Sequence, residues 1–300
     1  MTRDVIVIGA GCAGLTAALY AARAGKSVLV LERETVGGQI AYSPRVENYP
    51  GVAAVSGAEF SDRLFAQAEA LGVELELETA ERLIPGAPHT VITDRGEHRA
   101  PAVIVATGVK HRRLGVPGED TLAGITYCAV CDGALYTGTT VALVGGGSTA
   151  LQSAELLAGL CREVHLIHRR REFRGEQRLA ERVRKLPNVT LHLDSTVAAL
   201  LADPADPAIL GSVLVHQQAQ GQTRPLRADG LFVCVGQIPG NGAFADVLEL
   251  DAEGYLVAGE DCRTAVPGVF AAGDCRTKRV RQLTTAAADG STAALAALEL

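Results

Sequence analysis

The chain has 300 residues, enough for two domains of ordinary size, and 48% of them are hydrophobic, so each domain can bury a substantial core. A net charge of −6, no Trp and an aromatic share of 4% argue against a nucleic-acid partner, which needs a basic footprint and rings for bases to stack on. No apolar run reaches the roughly 18 residues of a membrane span. Asp4 and a strand-like run stand where a signal peptide would place its basic and apolar stretches. The expectation is a cytoplasmic protein that binds no membrane.

In chain order, the first element is the apolar, β-branched run Val5-Ile6-Val7-Ile8. Gly9, Gly11 and Gly14 follow in a G-x-G-x-x-G pattern. A helical pattern then runs from Leu15 to Ala24, which Gly25 can end, and a second strand from Ser27 reaches Glu32. One such glycine motif is weak, because many tight turns satisfy it. Between a strand and a helix it gains meaning: glycines let the backbone approach a pyrophosphate, and the helix N-terminus offers it free N–H groups and a positive dipole end. Glu32 lies 23 residues after Gly9, where the ribose of a dinucleotide sits. A carboxylate there accepts hydrogen bonds from ribose hydroxyls and repels a 2′-phosphate, which suits FAD or NAD. A β-rich stretch at about 73–100 leads to Val103-Ile104-Val105-Ala106-Thr107-Gly108.

Seven cysteines stand at 12, 128, 131, 161, 234, 262 and 275. A chain of this length does not need disulfide staples, so the one close pair, Cys128-Ala129-Val130-Cys131, is redox-active or metal-binding. A zinc knuckle needs a second ligand pair, and neither the other cysteines nor the histidines supply one, so we expect a dithiol/disulfide and no metal. The motif does not sit between a strand and a long helix, as in a thioredoxin-type site. Asp132, directly after it, fits two roles equally on spacing: a proton donor to a departing thiolate, or a turn residue before Gly133.

The first plan then repeats. Val141-Ala142-Leu143-Val144 leads into Gly145-Gly146-Gly147-Ser148-Thr149-Ala150, a helical run to Leu160, and the strand from Glu163 to Ile167. An offset of 136 residues carries Gly9 onto Gly145, Gly11 onto Gly147 and Gly14 onto Ala150, a replacement the fingerprint tolerates. A β-rich stretch at about 189–228 leads to Leu231-Phe232-Val233-Cys234-Val235-Gly236, so a whole domain plan occurs twice. At the position of Glu32 the second copy has His168, followed by Arg169, Arg170, Arg171 and Arg174. Guanidiniums bind phosphate oxygens in a bidentate fork, so this site should prefer NADP(H). Arg178, Arg182, Arg184 and Lys185 fit a solvated helix face better.

With these motifs in place, the chain resembles the small bacterial type of thioredoxin reductase over nearly its whole length. The resemblance rests on Gly9 to Gly14, Gly37-Gly38-Gln39, Val46-Glu47-Asn48-Tyr49-Pro50-Gly51, Ala106-Thr107-Gly108, the hexad Cys128 to Gly133 with Val130 where Thr is common, His168 to Arg174, Phe270-Ala271-Ala272-Gly273-Asp274 and Arg281-Gln282. It implies an α/β fold of two Rossmann-like, three-layer ββα domains. Residues 1–112 and 240–300 would form the FAD domain, and 113–239 an inserted NADPH domain carrying the cysteines. The resemblance assigns FAD to Gly9, Gly11, Cys12, Ala13, Gly14, Glu32, Arg33, Gly37, Gly38, Gln39, Asn48, Thr107, Gly108, Gly273, Asp274, Arg281, Gln282 and Leu283, with Asp274 on the ribityl chain. It assigns NADPH to Gly145, Gly147, Ser148, Thr149, Ala150, His168, Arg169, Arg170 and Arg174. Cys131 would face the flavin, Cys128 would attack the disulfide of thioredoxin or a similar small redox protein, and Asp132 would be the acid–base. It further implies a homodimer whose NADPH domain rotates, presenting first the disulfide and then the nicotinamide to the flavin.

The helix after Ala150 departs from the pattern: Leu151-Gln152-Ser153 stands where the family often carries Glu. That motivates an alternative with the same fold and another donor or partner, such as ferredoxin or another flavoprotein, with a dithiol oxidase using oxygen as a related option; a non-enzymatic redox sensor is a third reading that nothing in the sequence requires. Cys12, Cys161, Cys234, Cys262 and Cys275 have no assigned role and are expected to pack as small hydrophobes.

Overall fold

The computed structural model describes residues 2–43 and 45–300. They form two compact units, one of residues up to 110 together with 237–300, the other of 111–236. The second unit is thus an insertion in the first.

The first unit opens with β1 (Val5–Ile8), α1 (Cys12–Arg23) and β2 (Val28–Glu32), then α2 (Gly57–Glu69) and β3 (Glu74–Leu77). Next come β4 (Ala80–Ile84), β5 (His89–Thr93) and β6 (Glu97–Ala100), an antiparallel meander, and β7 (Ala102–Val105). β8 (Val109–His111) leads out of the unit.

The inserted unit contains β9 (Ile125–Thr126), the short α3 (Ala129–Asp132), β10 (Thr140–Gly145), α4 (Ser148–Leu160), β11 (Glu163–Ile167), α5 (Gln177–Arg184) and β12 (Val189–His192). A second meander follows, β13 (Ser195–Ala202), β14 (Leu210–Gln217) and β15 (Gln222–Arg227), and then β16 (Gly230–Cys234). The chain returns through β17 (Gln237–Pro239), which pairs with β8, and ends with β18 (Val269–Ala271) and α6 (Leu283–Ala297).

Each unit has a parallel five-stranded sheet: β18-β7-β1-β2-β3 in the first and β12-β11-β10-β16-β9 in the second. Side chains alternate across a strand, and both sheets use the alternation to fill two cores. In β1, Val5 and Val7 pack under α1, α2 and α6, while Ile6 and Ile8 pack with Leu83 and Val91 of the meander. In β10, Val141 and Leu143 pack with α4 and α5, while Ala142 and Val144 pack with Val213 and Val215 of the other meander. Sheets covered on both faces are why these strands read as continuous apolar runs. Each buried Val, Ile or Leu contributes roughly 1.5–3 kcal/mol. The register places the C-terminal ends of β1 and β2, and of β10 and β11, side by side. These are the ends at which doubly wound sheets bind ligands.

Candidate active site

In the first unit the three fingerprint glycines differ in what surrounds them. Gly9 has φ +109°, and a Cβ there would lie 2.3 Å from the Ala106 carbonyl oxygen. At Gly14 a Cβ would lie 1.9 Å from the Gly9 carbonyl oxygen. Both glycines let backbone pack on backbone. At Gly11 the nearest atom to such a Cβ is 3.9 Å away, so the space over the start of α1 is open. An open N-terminus flanked by close-packed turns is what a pyrophosphate needs. Gly37 donates its N–H to the Ala10 carbonyl at 2.8 Å, and Gly38 lies against Gly11. Glu32 is buried at the end of β2, its Oε2 accepting the Ala10 N–H at 2.7 Å and its Oε1 the Glu34 N–H at 2.9 Å. Each oxygen keeps a lone pair for a ribose hydroxyl. Arg33 is exposed and lies 3.5 Å from Glu34, and Gln39 is exposed as well.

The other end of this cradle is built by the segment after β18. Oδ1 of Asp274 is buried and has no hydrogen-bond partner among the described residues. Burial pushes its carboxyl up to about 6. An orphaned buried acceptor demands an explanation, and a hydroxyl of a bound polyol chain would satisfy it. The residues present therefore fit a flavin nucleotide: a buried acceptor without a partner at Asp274 and an open helix start at Gly11. Thr107 donates to Asn241 Oδ1 at 2.8 Å, and Gly108 takes φ +63°. Arg281 lies over the Tyr255 ring at 4.0 Å, and Gln282 caps α6 while accepting from Asn48 Nδ2 at 3.2 Å. Cys12 and Ala13 are buried in the first turn of α1, and the Cys12 thiol reaches the Leu283 carbonyl at 3.5 Å. Burial pushes that thiol up to about 12, so it stays protonated.

The second unit repeats the glycine logic. A Cβ on Gly145 would lie 2.4 Å from the Cys234 carbonyl oxygen, whereas one on Gly147 meets nothing within 4 Å. Ser148 and Thr149 open α4, and Ala150 is buried where Gly14 stands in the first copy. His168 is buried rather than presented at the surface. Its ring covers Gly146, whose Cβ would lie 2.1 Å from His168 Cε1, its Nε2 lies 3.0 Å from the Glu172 carbonyl, and it stacks on Phe173. Burial lowers its pKa, keeping it neutral at pH 7. The loop it anchors carries Arg169, Arg170 and Arg174, all exposed. Among the described residues none of the three has an ion-pair partner, whereas Arg171 is tied to Asp194 at 2.6 Å. The α5 residues expected on a solvated face do more than that: Arg182 pairs with Glu155, and Arg184 lies over Phe173.

Also in the second unit, Cys128 and Cys131 are joined as a disulfide. Cys128 is half-buried and Cys131 exposed, and the Cys131 N–H points at Cys128 Sγ from 3.2 Å. Burial raises the Asp132 carboxyl above its ordinary value, against a hydrogen bond from Thr126. An acid poised closer to neutrality beside a disulfide can give a proton to a departing thiolate and take it back.

Sequence reasoning missed several supporting groups. Asn241 is fully buried and donates to the Gly254 and Cys275 carbonyls, fixing the partner of Thr107. Asp289 on α6 holds the Gly273 N–H, Arg276 and Lys278, on either side of Asp274 in the chain. Glu119 is buried and accepts the Leu114 and Gly115 N–H groups and the Tyr127 hydroxyl, so it anchors the residue preceding Cys128. Only Asp289 left a signal, as a lone charge in an alanine-rich helix. The free cysteines pack as expected: Cys12, Cys161, Cys262 and Cys275 are buried and Cys234 is half-buried.

The sequence profile of the family described as "Pyridine nucleotide-disulphide oxidoreductase" matches residues 3–290. The chain is 39% identical over 293 residues to a thioredoxin reductase of Listeria monocytogenes, covering 97% of this chain and 91% of that one. It is 39% identical over 300 residues to one of Treponema pallidum, covering 98% and 95%. The solved thioredoxin reductase of Streptococcus pyogenes superposes with a TM-score of 0.94 at 36% identity, over 99% of this chain and 97% of the other. With its closed Cys-x-x-Cys disulfide and two nucleotide cradles, the chain belongs to the pyridine nucleotide-disulphide oxidoreductase family, in its thioredoxin reductase branch, a family whose members work with a flavin and a pyridine nucleotide.

Proposed function

We propose that this protein oxidises NADPH and reduces the disulfide of thioredoxin or a similar small redox protein, with FAD as its bound flavin, working as a homodimer. The observation that carries the reading is the Cys128–Cys131 disulfide beside the half-buried Asp132, in a unit whose nucleotide loop bears three exposed arginines without an ion-pair partner among the described residues.

NADPH would supply the two electrons as a hydride equivalent, and a bound FAD would provide the flavin chemistry that relays them to the disulfide. This chain's residues do the rest. Gly11 and the start of α1 receive the FAD pyrophosphate, Glu32 its ribose and Asp274 its ribityl chain. Gly147 and the start of α4 receive the NADPH pyrophosphate, and Arg169, Arg170 and Arg174 hold its 2′-phosphate. When the Cys128–Cys131 bond breaks with two electrons, Asp132 gives its proton to Cys128 and Cys131 stays a thiolate. Deprotonated again by Asp132, Cys128 attacks the substrate disulfide, Cys131 resolves the mixed disulfide, and the two released substrate thiolates take protons from solvent as the product leaves as a dithiol.

An anaerobic titration of the reconstituted yellow protein tests this. NADPH should bleach the flavin, oxidised thioredoxin should restore the colour, and Cys128→Ser should abolish turnover with FAD still bound. Equal bleaching by NADH, or bleached protein that thioredoxin does not reoxidise, would overturn it.

A further inference from the structure

Thr126 is the second residue of β9, paired in register with Phe232 of β16, and is buried. Its hydroxyl meets two groups. It donates to Asp132 Oδ2, and it accepts the backbone N–H of Cys128 at 3.3 Å. A hydroxyl has one proton to give, and the Cys128 N–H orients this one by occupying a lone pair. The Thr126 proton is thereby directed at the carboxylate.

We propose that Thr126 is a positioning residue for the thiol chemistry: it holds Asp132 through Oδ2, leaving Oδ1 as the oxygen that carries the transferable proton. The inference rests on reading Asp132 as the acid–base. A protonated Oδ2 would have to compete with the Thr126 hydroxyl for the same position, so the proton resides on Oδ1. The same hydroxyl is tied to the main chain of Cys128, which keeps the acid in register with the sulfur it serves. In the step itself the S–S bond breaks, two electrons arrive from NADPH, and the Oδ1 proton moves to Cys128 Sγ. The products are one thiol, one thiolate and an ionised Asp132, whose new charge the Thr126 donor stabilises. The Tyr136 phenol also senses Asp132, pushed up first by burial and then by Asp132. Burial and the Thr126 hydroxyl are the influences that act on Asp132 itself.

The test uses FAD-loaded Thr126→Val, Thr126→Ser and Asp132→Asn, with Thr126→Ala as a second variant should the valine hold FAD poorly. NADPH-dependent thioredoxin reduction is followed against pH. Thr126→Val should lower kcat roughly tenfold with KM for thioredoxin unchanged, less than the hundredfold or more that losing a general acid costs. The pH at which the Asp132-dependent limb breaks should rise, because the bond favouring the ionised form is gone. Thr126→Ser should restore both, and Thr126→Val should add nothing to Asp132→Asn. If Asp132→Asn loses the limb while Thr126→Val leaves it in place, the Thr126 inference alone falls. If Asp132→Asn keeps full rate and an unchanged profile, the reading of Asp132 falls and takes this inference with it.

Discussion

Arg276 and Asp289 form a two-point ion pair sealed inside the first unit, with Nε on Oδ2 and Nη2 on Oδ1, both at 2.8 Å, and side chains 2% and 7% exposed. Lys278 joins at 2.8 Å, and the Gly273 N–H donates to the same Oδ2. Four donors converge on one carboxylate, and the backbone they fix is the one that presents Asp274. Removing one partner of such a pair leaves buried charge uncompensated and costs about 3–5 kcal/mol. Asp289→Ala is therefore expected to lower the unfolding midpoint sharply and to release FAD, read by urea unfolding and by flavin content after gel filtration. Burial alone would raise the Asp289 carboxyl, but Arg276 and Lys278 outweigh it and hold it below its ordinary value. A depressed carboxylate contributes stability that is complete above its unfolded pKa of about 3.9 and is lost as pH falls through the lower folded value. Acid unfolding of the wild type should accordingly begin below about pH 4, and Asp289→Asn should flatten it.

Asp274 has the opposite sign. Its carboxyl rises to about 6 because burial disfavours the charge. On the proposed reading a ribityl hydroxyl donating to Oδ1 would favour the ionised form, so FAD binding and ionisation would support each other. The apoprotein is expected to bind FAD more tightly at pH 7.5 than at pH 5, with a proton released on binding at pH near 6. Fluorescence titration of FAD at several pH values measures this. Asp274→Asn should weaken binding and remove its pH dependence, and an unchanged slope in that variant would show that another group carries it.

The glycines make a paired prediction. Gly14→Ala must fit a methyl 1.9 Å from a carbonyl oxygen, and Gly145→Ala one 2.4 Å from another, so both should lose folded yield. Gly11→Ala and Gly147→Ala meet no such obstacle, and their φ of −75° and −88° suit alanine. These two should fold with normal circular dichroism yet bind FAD or NADPH, respectively, at least tenfold more weakly, because the methyl takes the space kept for pyrophosphate.

Legibility followed from how local the determinant was. The two βαβ units were readable because strands covered on both faces are apolar throughout and the glycine spacing is fixed by the turn itself. The helical pattern in the sequence starts at Leu15, but the helix begins at Cys12, since Gly11 caps it directly and loop-like composition hides that turn. His168 sits in line with Glu32 in the repeat, and its buried posture over Gly146 depends on Phe173 and Glu172 folding back, which no spacing encodes. Arg276 reads as surface charge until its partner, thirteen positions along, is brought beneath it by α6. Glu119 reads as a loop acid until the chain closes around it at Tyr127.

The second nucleotide loop separates charge from support. On the proposed reading Arg169, Arg170 and Arg174 would meet the 2′-phosphate of NADPH, a contact that NADH lacks, while His168 would hold the loop for either cofactor. A charge-assisted hydrogen bond contributes about 1.5–3 kcal/mol, so Arg174→Ala should raise KM for NADPH by roughly ten- to hundredfold and leave KM for NADH unchanged. His168→Ala should instead raise both KM values by a similar factor, because the ring it removes covers Gly146 and its bond to the Glu172 carbonyl shapes the whole segment. The His168 pKa is lowered by burial foremost, with Arg170, Arg169 and Arg174 adding to it against the Glu172 carbonyl. Its neutral form therefore belongs to the folded loop. That contribution is complete above about pH 6.5 and is lost as pH falls through the unfolded pKa toward the folded one. Protection against hydrogen exchange across 168–175, corrected for the intrinsic pH dependence of the exchange rate, should fall on acidification in the wild type, and in His168→Gln the acidification should have no such effect. Steady-state assays with both nucleotides, alongside exchange at two pH values, would reject this division of labour if His168→Ala discriminated between NADPH and NADH as strongly as Arg174→Ala.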